Sequence, residues 1–326
     1  MNDMTAAAPS GRRHYDVVVL GEVLVEVATE AAFDDGVEAR LGVSGDALNV
    51  AAAAAAAGAE VGLISVLGED ELGQAVRRRI EELGVSTDLL RQRPGQQGAY
   101  FVHSDPEGNR EFSYARSHSV GSTLSPEDLD LEVLRNAGAV IASGIIAAIS
   151  DTAAQAVDVA AAAARRFVYD PNHRPRLSSL EDARRRLREL APLSWLVTPS
   201  SPGETSDLLD AESPDAAAQA LTSMGASNVA VTCGADGIYL LHDGETRWIS
   251  SVPAPHVIDQ TGAGDAFLGS TTARAVLGDT LPDAVRWGAA VASLVVGGRG
   301  GTGFVPTAAQ TREHLRTASI TEEGAP

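Results

Sequence analysis

A chain of 326 residues can bury one large core, and 44 acidic against 25 basic side chains leave a net charge of −19. A surface of that sign repels nucleic acid and anionic membranes, so a small-molecule ligand is expected; it can still be anionic if a few arginines converge in a cleft. The lone cysteine, Cys233, excludes an internal disulfide and suits the cytosol, where the chain is expected; the apolar run Ala51 to Ala57 is too short to span a bilayer.

Residues 1–13 read as a disordered tail, as do 319–326, leaving one domain over 14–318. Asp16 to Leu20 is a continuous apolar run, the pattern of a strand covered on both faces. It stops at Gly21-Glu22. Val23 to Val27 and Glu38 to Leu41 are short extended pieces outside the main sheet, followed by a helix from Asp46 through an alanine tract to Gly58. A strand over Val61 to Leu67 and a helix over Gln74 to Leu83 come next. Gly98 to His103 and Arg110 to Arg116 then form a hairpin joined by Asp105-Pro-Glu-Gly-Asn109, where alternation of strand and helix would call for a helix. Strands at 139–143, 167–170, 195–198 and 228–233 alternate with helices at 151–165, 180–190, 202–209 and 215–224, and a hairpin turns at Asp243-Gly244. Repeated strand-then-helix units predict an α/β fold with a mostly parallel sheet covered on both faces, and ligands beyond the carboxyl ends of its strands. The extended pieces at about 22–43 and 97–118 predict a small accessory β-sheet.

The stretch Asp259-Gln-Thr-Gly-Ala-Gly-Asp265 carries the chemistry. A small-residue turn opening a helix leaves backbone N–H groups without intrahelical partners, so Gly262, Ala263 and Gly264 form a receptor for negative charge. Asp265 beside them would repel a bound phosphate but is well placed to take a proton from a hydroxyl attacking phosphorus. Read alone, such a turn is more often a simple cap; the whole heptapeptide is more specific.

This stretch resembles the C-terminal signature of the ribokinase-like (PfkB) carbohydrate kinases, with Gln260 in place of the usual threonine. Ser44-Gly45-Asp46-Ala-Leu-Asn49, with the spaced glycines Gly58, Gly62, Gly68 and Gly73, resembles the N-terminal signature, Ser44 replacing a glycine. The resemblance runs from about Tyr15 to about Pro306. It implies a three-layer α/β/α sandwich whose accessory sheet is a lid over the sugar and a homodimer surface, with ATP and Mg2+ as cofactors and room for a monovalent cation such as K+ near Asp259.

Within the family, Tyr100, Tyr114-Ala-Arg116 and Asp170-Pro-Asn-His-Arg174 are similar to elements of 2-keto-3-deoxygluconate kinases, and Ser178 departs from the usual bulky residue after that last element. Two arginines in one pocket suit a carboxylate, which guanidinium binds through paired hydrogen bonds. The resemblance therefore implies a sugar site of Gly45, Asp46, Asn49, Tyr100, Tyr114, Arg116, Arg174 and Asp265, and a nucleotide site of Ser201, Thr232, Gly234, Gly237 and Gly264. Glu204 of Ser201-Pro-Gly-Glu204 would organise the metal; Glu26 and His118 are left without a fixed role. The expected reaction is phosphorylation of a primary hydroxyl, most simply of 2-keto-3-deoxygluconate. A fructokinase or ribokinase is the alternative within enzymes, ahead of a nucleoside kinase, and a silent binding protein the alternative outside them. A dinucleotide-dependent oxidoreductase is excluded by Gly21-Glu22-Val23 where a Gly-x-Gly-x-x-Gly turn would be needed.

Overall fold

The computed structural model describes residues 14–104 and 110–323; the N-terminal tail and the 105–109 turn expected above lie outside the described residues. Strand β1 (Val17–Leu20) is buried throughout. Val18 and Leu20 join one apolar cluster, Val17 and Val19 another. Because successive side chains point to opposite faces, this run requires cover on both sides of the sheet.

The chain then leaves the sheet to form β2 (Leu24–Thr29) and β3 (Arg40–Ser44), and returns through α1 (Asp46–Ala56) to β4 (Val61–Ile64) beside β1. The run expected as one strand divides here: β5 (Val66–Gly68) pairs with β6 (Arg91–Arg93) in a separate two-stranded sheet. Between them α2 (Glu71–Glu82) begins before Gln74, because Asp70 Oδ1 accepts from the Gly73 amide at 2.8 Å and caps the earlier start. Strands β7 (Ala99–Ser104) and β8 (Arg110–Ala115) complete a four-stranded lid of order β3-β2-β7-β8. Only the β2–β7 pair is parallel in the lid.

The alternation then resumes: α3 (Leu131–Asn136), β9 (Ala139–Ser143), α4 (Gly144–Ile149), α5 (Asp151–Ala163), β10 (Phe167–Asp170), α6 (Leu180–Leu190), β11 (Ser194–Val197), α7 (Gly203–Leu209), α8 (Pro214–Ser223) and β12 (Val229–Thr232). The hairpin β13 (Ile238–His242) and β14 (Glu245–Ile249) adds two antiparallel strands, and α9 (Ala263–Val276), α10 (Leu281–Val295) and α11 (Ala308–Glu323) close the chain. Helix α11 continues past 318, so the tail expected from 319 is helical to Glu323. The main sheet has eight strands in the order β14-β13-β12-β11-β10-β9-β1-β4. Helices α3, α5, α6 and α8 cover one face, and α1, α2, α9 and α10 the other, which makes the three-layer α/β/α sandwich.

Helix α9 is gripped from both sides. A methyl on its Gly269 would lie 2.1 Å from the Val50 carbonyl oxygen of α1, and a methyl on Gly288 of α10 would lie 3.0 Å from the Phe267 carbonyl oxygen. The alanines of α1 that face inward permit the same close approach, so small residues fix where the first turn of α9 sits.

Candidate active site

A cavity of about 1010 Å³ opens between the lid and the carboxyl ends of β10, β11 and β12, where Asp170, Thr198 and Thr232 reach it. It is lined on the body side by Gly45, Asp46, Asn49, Arg174, Glu204, Gly262, Gly264 and Asp265, and on the lid side by Leu24, Tyr100, Phe112, Tyr114 and Arg116. The N-terminal and C-terminal signatures, more than two hundred residues apart, thus share one cleft; Asn49 Nδ2 donates to Asp265 Oδ2 at 2.8 Å. Asn49 Oδ1 also accepts from Ser44 Oγ at 3.3 Å. Asn49 thus lines the cavity with its amide held against the carboxylate, and the serine that replaces a glycine helps hold it.

Burial in the cleft raises Asp265 to about 7, with the Asp46 carboxylate adding to the rise; the Asn49 hydrogen bond and the Arg174 guanidinium oppose it. A carboxylate with that value alternates between base and acid near neutrality. Gly262 opens α9 in the left-handed region at φ 80°. The Gly264 and Asp265 amides lie in the first turn, without intrahelical partners. A methyl at Gly264 would meet no protein atom within 4 Å, so the space in front of it is open to a ligand. Ala263 departs from the expected trio: its amide donates to the Gln260 carbonyl oxygen at 3.3 Å.

On the lid, Tyr100 and Tyr114 are cross-strand partners with ring centroids 6.0 Å apart, and Phe112 stacks on Tyr114 at 6.3 Å. These rings form an apolar wall that suits the carbon face of a sugar. The Tyr100 hydroxyl donates to Glu26 Oε2. Glu26 is buried, and its carboxylate lies where a methyl on Gly42 or Gly300 would fall, so it braces the lid against the 299–301 loop. Arg116 follows β8 rather than belonging to it, yet it lines the same cavity as Tyr114. Its guanidinium is ion-paired with Glu22. His118 is exposed and in the left-handed region at φ 59°, where it makes a turn. From the body, Arg174 reaches the cavity, and Arg176 Nη1 donates to the Phe112 carbonyl oxygen at 2.8 Å, tying the loop after β10 to the lid.

Glu204 sits at the start of α7 with both oxygens engaged: Oε1 accepts from the His173 amide at 2.7 Å, and Oε2 from the Ser200 amide at 2.8 Å and its hydroxyl at 3.0 Å. Ser200, and not Ser201, orients this carboxylate and lines the cavity. Ser201 faces Thr205, whose hydroxyl donates to it at 3.3 Å. Gly234, at φ 58°, has open space around it, whereas a methyl on Gly237 would lie 2.4 Å from the Ile249 carbonyl oxygen, so packing against β14 requires that glycine. Neither glycine is among the cavity-lining residues.

Asp170 is pushed well above the ordinary carboxylate range by burial, and then by the negative charges of Glu204, Asp265 and Asp46. Mutual repulsion of this kind is relieved by a cation, so the donor set fits a divalent ion held by Asp170 and Glu204, largely through water and ligand oxygens. Among the described residues no group of three or more His, Cys, Asp or Glu forms a complete metal site. Asp259 accepts from the Thr261 amide at 2.7 Å and the Gly300 amide at 2.8 Å, joining two loops next to the cleft.

Residues 15–308 match the pfkB family carbohydrate kinase description. The chain belongs to this family. It is 32% identical to a 2-dehydro-3-deoxygluconokinase of Thermoproteus tenax over 278 residues, covering 84% of this chain and 85% of the relative. A PfkB protein from Polaromonas sp. JS666 has a crystal structure with TM-score 0.82 and 25% identity, covering 91% of this chain and 99% of that one. A fructokinase with bound ATP from Xylella fastidiosa shares the fold at TM-score 0.82 and 22% identity, covering 93% of this chain and 99% of that one. Among the described residues of this carbohydrate kinase, no helix is long and apolar enough to cross a membrane.

For a pfkB kinase, the residues that motif reading misses are those acting on other side chains. Ser200 is one position from the expected serine, and a strand-end hydroxyl four residues before a glutamate at a helix start was its signal. Glu22 carries no sequence signal beyond its place after the first strand.

Proposed function

We propose that this kinase transfers the γ-phosphoryl group of ATP to a primary hydroxyl of 2-keto-3-deoxygluconate. The observation that carries the reading is Asp265, a recessed carboxylate raised to about 7 beside the cavity-lining Gly264 at the start of α9. In this reading Asp265 removes the hydroxyl proton, the oxygen attacks the γ-phosphorus, and the bond from phosphorus to the β–γ bridging oxygen breaks as ADP leaves. The Gly264 and Asp265 amides offset charge on the transferring group, and the aromatic wall with the lid keeps water from competing. Asp170 and Glu204 would hold Mg2+, which when bound neutralises phosphate charge. Thr232, which lines the cavity at the end of β12, would face the nucleotide. The T. tenax relative supports the acid as substrate, as do Arg116 and Arg174 on one cavity.

One observation favours a second reading, a neutral-sugar kinase: one nitrogen of Arg116 is already occupied by Glu22, which leaves only the rest of the guanidinium for a ligand carboxylate. Coupled ADP release measured side by side with 2-keto-3-deoxygluconate, fructose, ribose and adenosine decides between them. The acid should have the highest kcat/KM, and a higher value for fructose would overturn the substrate assignment. Asp265→Asn should cut kcat by about 10²–10⁴-fold with little change in substrate affinity; near-normal turnover would remove Asp265 as base. The outward-facing Leu41 and Phe101, 68% and 38% exposed on one face of the lid, support pairing of two copies there, which sedimentation of the Leu41→Lys variant tests.

A further inference from the structure

Glu22 is a buried carboxylate that the phosphoryl-transfer chemistry does not use. It is 2% exposed, in the turn by which the chain leaves the main sheet for the lid. Its oxygens are gripped by two residues of a single lid-side turn: Arg116 is ion-paired to Oε2, and Ser119 Oγ donates to Oε1 at 2.5 Å. The left-handed His118 makes that turn, and the Ser119 amide donates to the Arg116 carbonyl oxygen at 3.1 Å to close it. Two glycines shape the cradle. A methyl on Gly121 would lie 2.5 Å from Glu22 Cγ, and a methyl on Gly98 would lie 2.9 Å from Oε1.

Burial raises the Glu22 carboxyl, and the Arg116 charge followed by the Ser119 hydrogen bond works against that rise. A buried charge of this kind holds its partner firmly, because separating the pair would leave one charge unsatisfied. The Arg116 side chain is only 10% exposed, yet it lines the lid side of the cavity. A guanidinium is a rigid planar fork, so a carboxylate held against Nη2 constrains the direction of its other nitrogens.

We propose that Glu22 is the positioning residue that aims Arg116 into the cavity and thereby sets the preference for an acidic over a neutral sugar. This inference rests on the acid reading of the site given above. Glu22 does not touch substrate; it acts through Arg116, and Ser119 steadies it. By sharing the Arg116 charge, it also leaves the preference dependent on geometry rather than on excess positive charge.

Steady-state kinetics of wild type, Glu22→Gln, Ser119→Ala, Arg116→Ala and the Glu22→Gln/Arg116→Ala double variant test this, with 2-keto-3-deoxygluconate and fructose as acceptors. Glu22→Gln should raise KM for the acid about tenfold while kcat and the KM for ATP stay within about twofold, and fructose should be nearly unaffected. The double variant should be no worse than Arg116→Ala alone, since both changes break one interaction. Ser119→Ala should shift KM for the acid the same way by about threefold, and it decides the matter if thermal melting shows Glu22→Gln unfolded. Equal losses on both sugars, additive losses in the double variant, or an unchanged acid KM overturn the positioning role while the substrate assignment stands. A wild type with no preference for the acid overturns the substrate assignment, and this inference with it.

Discussion

At the scale of single residues, the cleft separates groups that do chemistry from groups that tune them. Asp265 must be ionised to accept a proton, so kcat/KM should fall as pH drops through about 7. The Asn49 hydrogen bond holds that value down; Asn49→Ala should therefore move the acidic limb of the pH profile to higher pH, and an unchanged limb would show that the 2.8 Å bond is not felt by the base. Gly264 offers an opposite pair of effects. Alanine there meets no protein atom and gains about 1 kcal/mol of helix propensity. Gly264→Ala should melt no lower than wild type but lose at least about tenfold in kcat/KM for ATP, because the methyl stands where the phosphoryl group must approach. Much of this was legible beforehand, since the turn and its acid are contiguous in sequence. The engagement of Asn49 with Asp265 was not, because the two lie 216 residues apart and an isolated asparagine at a helix start reads as a cap or a ligand contact.

At the scale of elements, the position of α9 is the property to test. Gly269 lies so close to α1 that a methyl group would come within 2.1 Å of a backbone oxygen, which cannot swing aside as a side chain can. Gly269→Ala should destabilise by about 1–3 kcal/mol, read as a lower melting temperature. It should also lower kcat, because spreading α1 and α9 pulls Asn49 from Asp265; a variant with normal kcat would show that the helices relax without disturbing the site. The continuous apolar strands, the strand-helix alternation and the interrupting hairpin were sufficient to anticipate a sheet covered on both faces and a small accessory sheet; that the accessory sheet is a lid came from the family resemblance. The division of 61–67 at Ser65 was not visible, since both halves are apolar and buried and differ only in which strand accepts them. The same limit hid the early start of α2, which a single aspartate cap decides.

For the whole molecule, a net charge of −19 opposes the approach of ATP and of a sugar acid alike. Raising ionic strength from about 20 to about 150 mM should increase kcat/KM for the acid more than for fructose, by screening the distant surface while the cleft arginines act at close range. The same charges bear on stability. The folded Asp265 lies above its unfolded value, so its contribution is fully present below the unfolded value and is lost as pH rises towards about 7. The Asp265→Asn variant should gain melting temperature over wild type between about pH 5 and about pH 8; a constant difference would place the carboxylate in water.

The bond between Asn49 and Asp265 has a further consequence for biogenesis. Its two ends are made at opposite extremes of translation, and the grip of α10 on α9 comes later still. A ribosome-bound chain ending before α10 lacks that grip on α9 and should be catalytically inert. Because the bond from Asn49 to Asp265 closes a loop of 216 residues whereas helices form locally, recovery of turnover on dilution from denaturant should trail recovery of ellipticity.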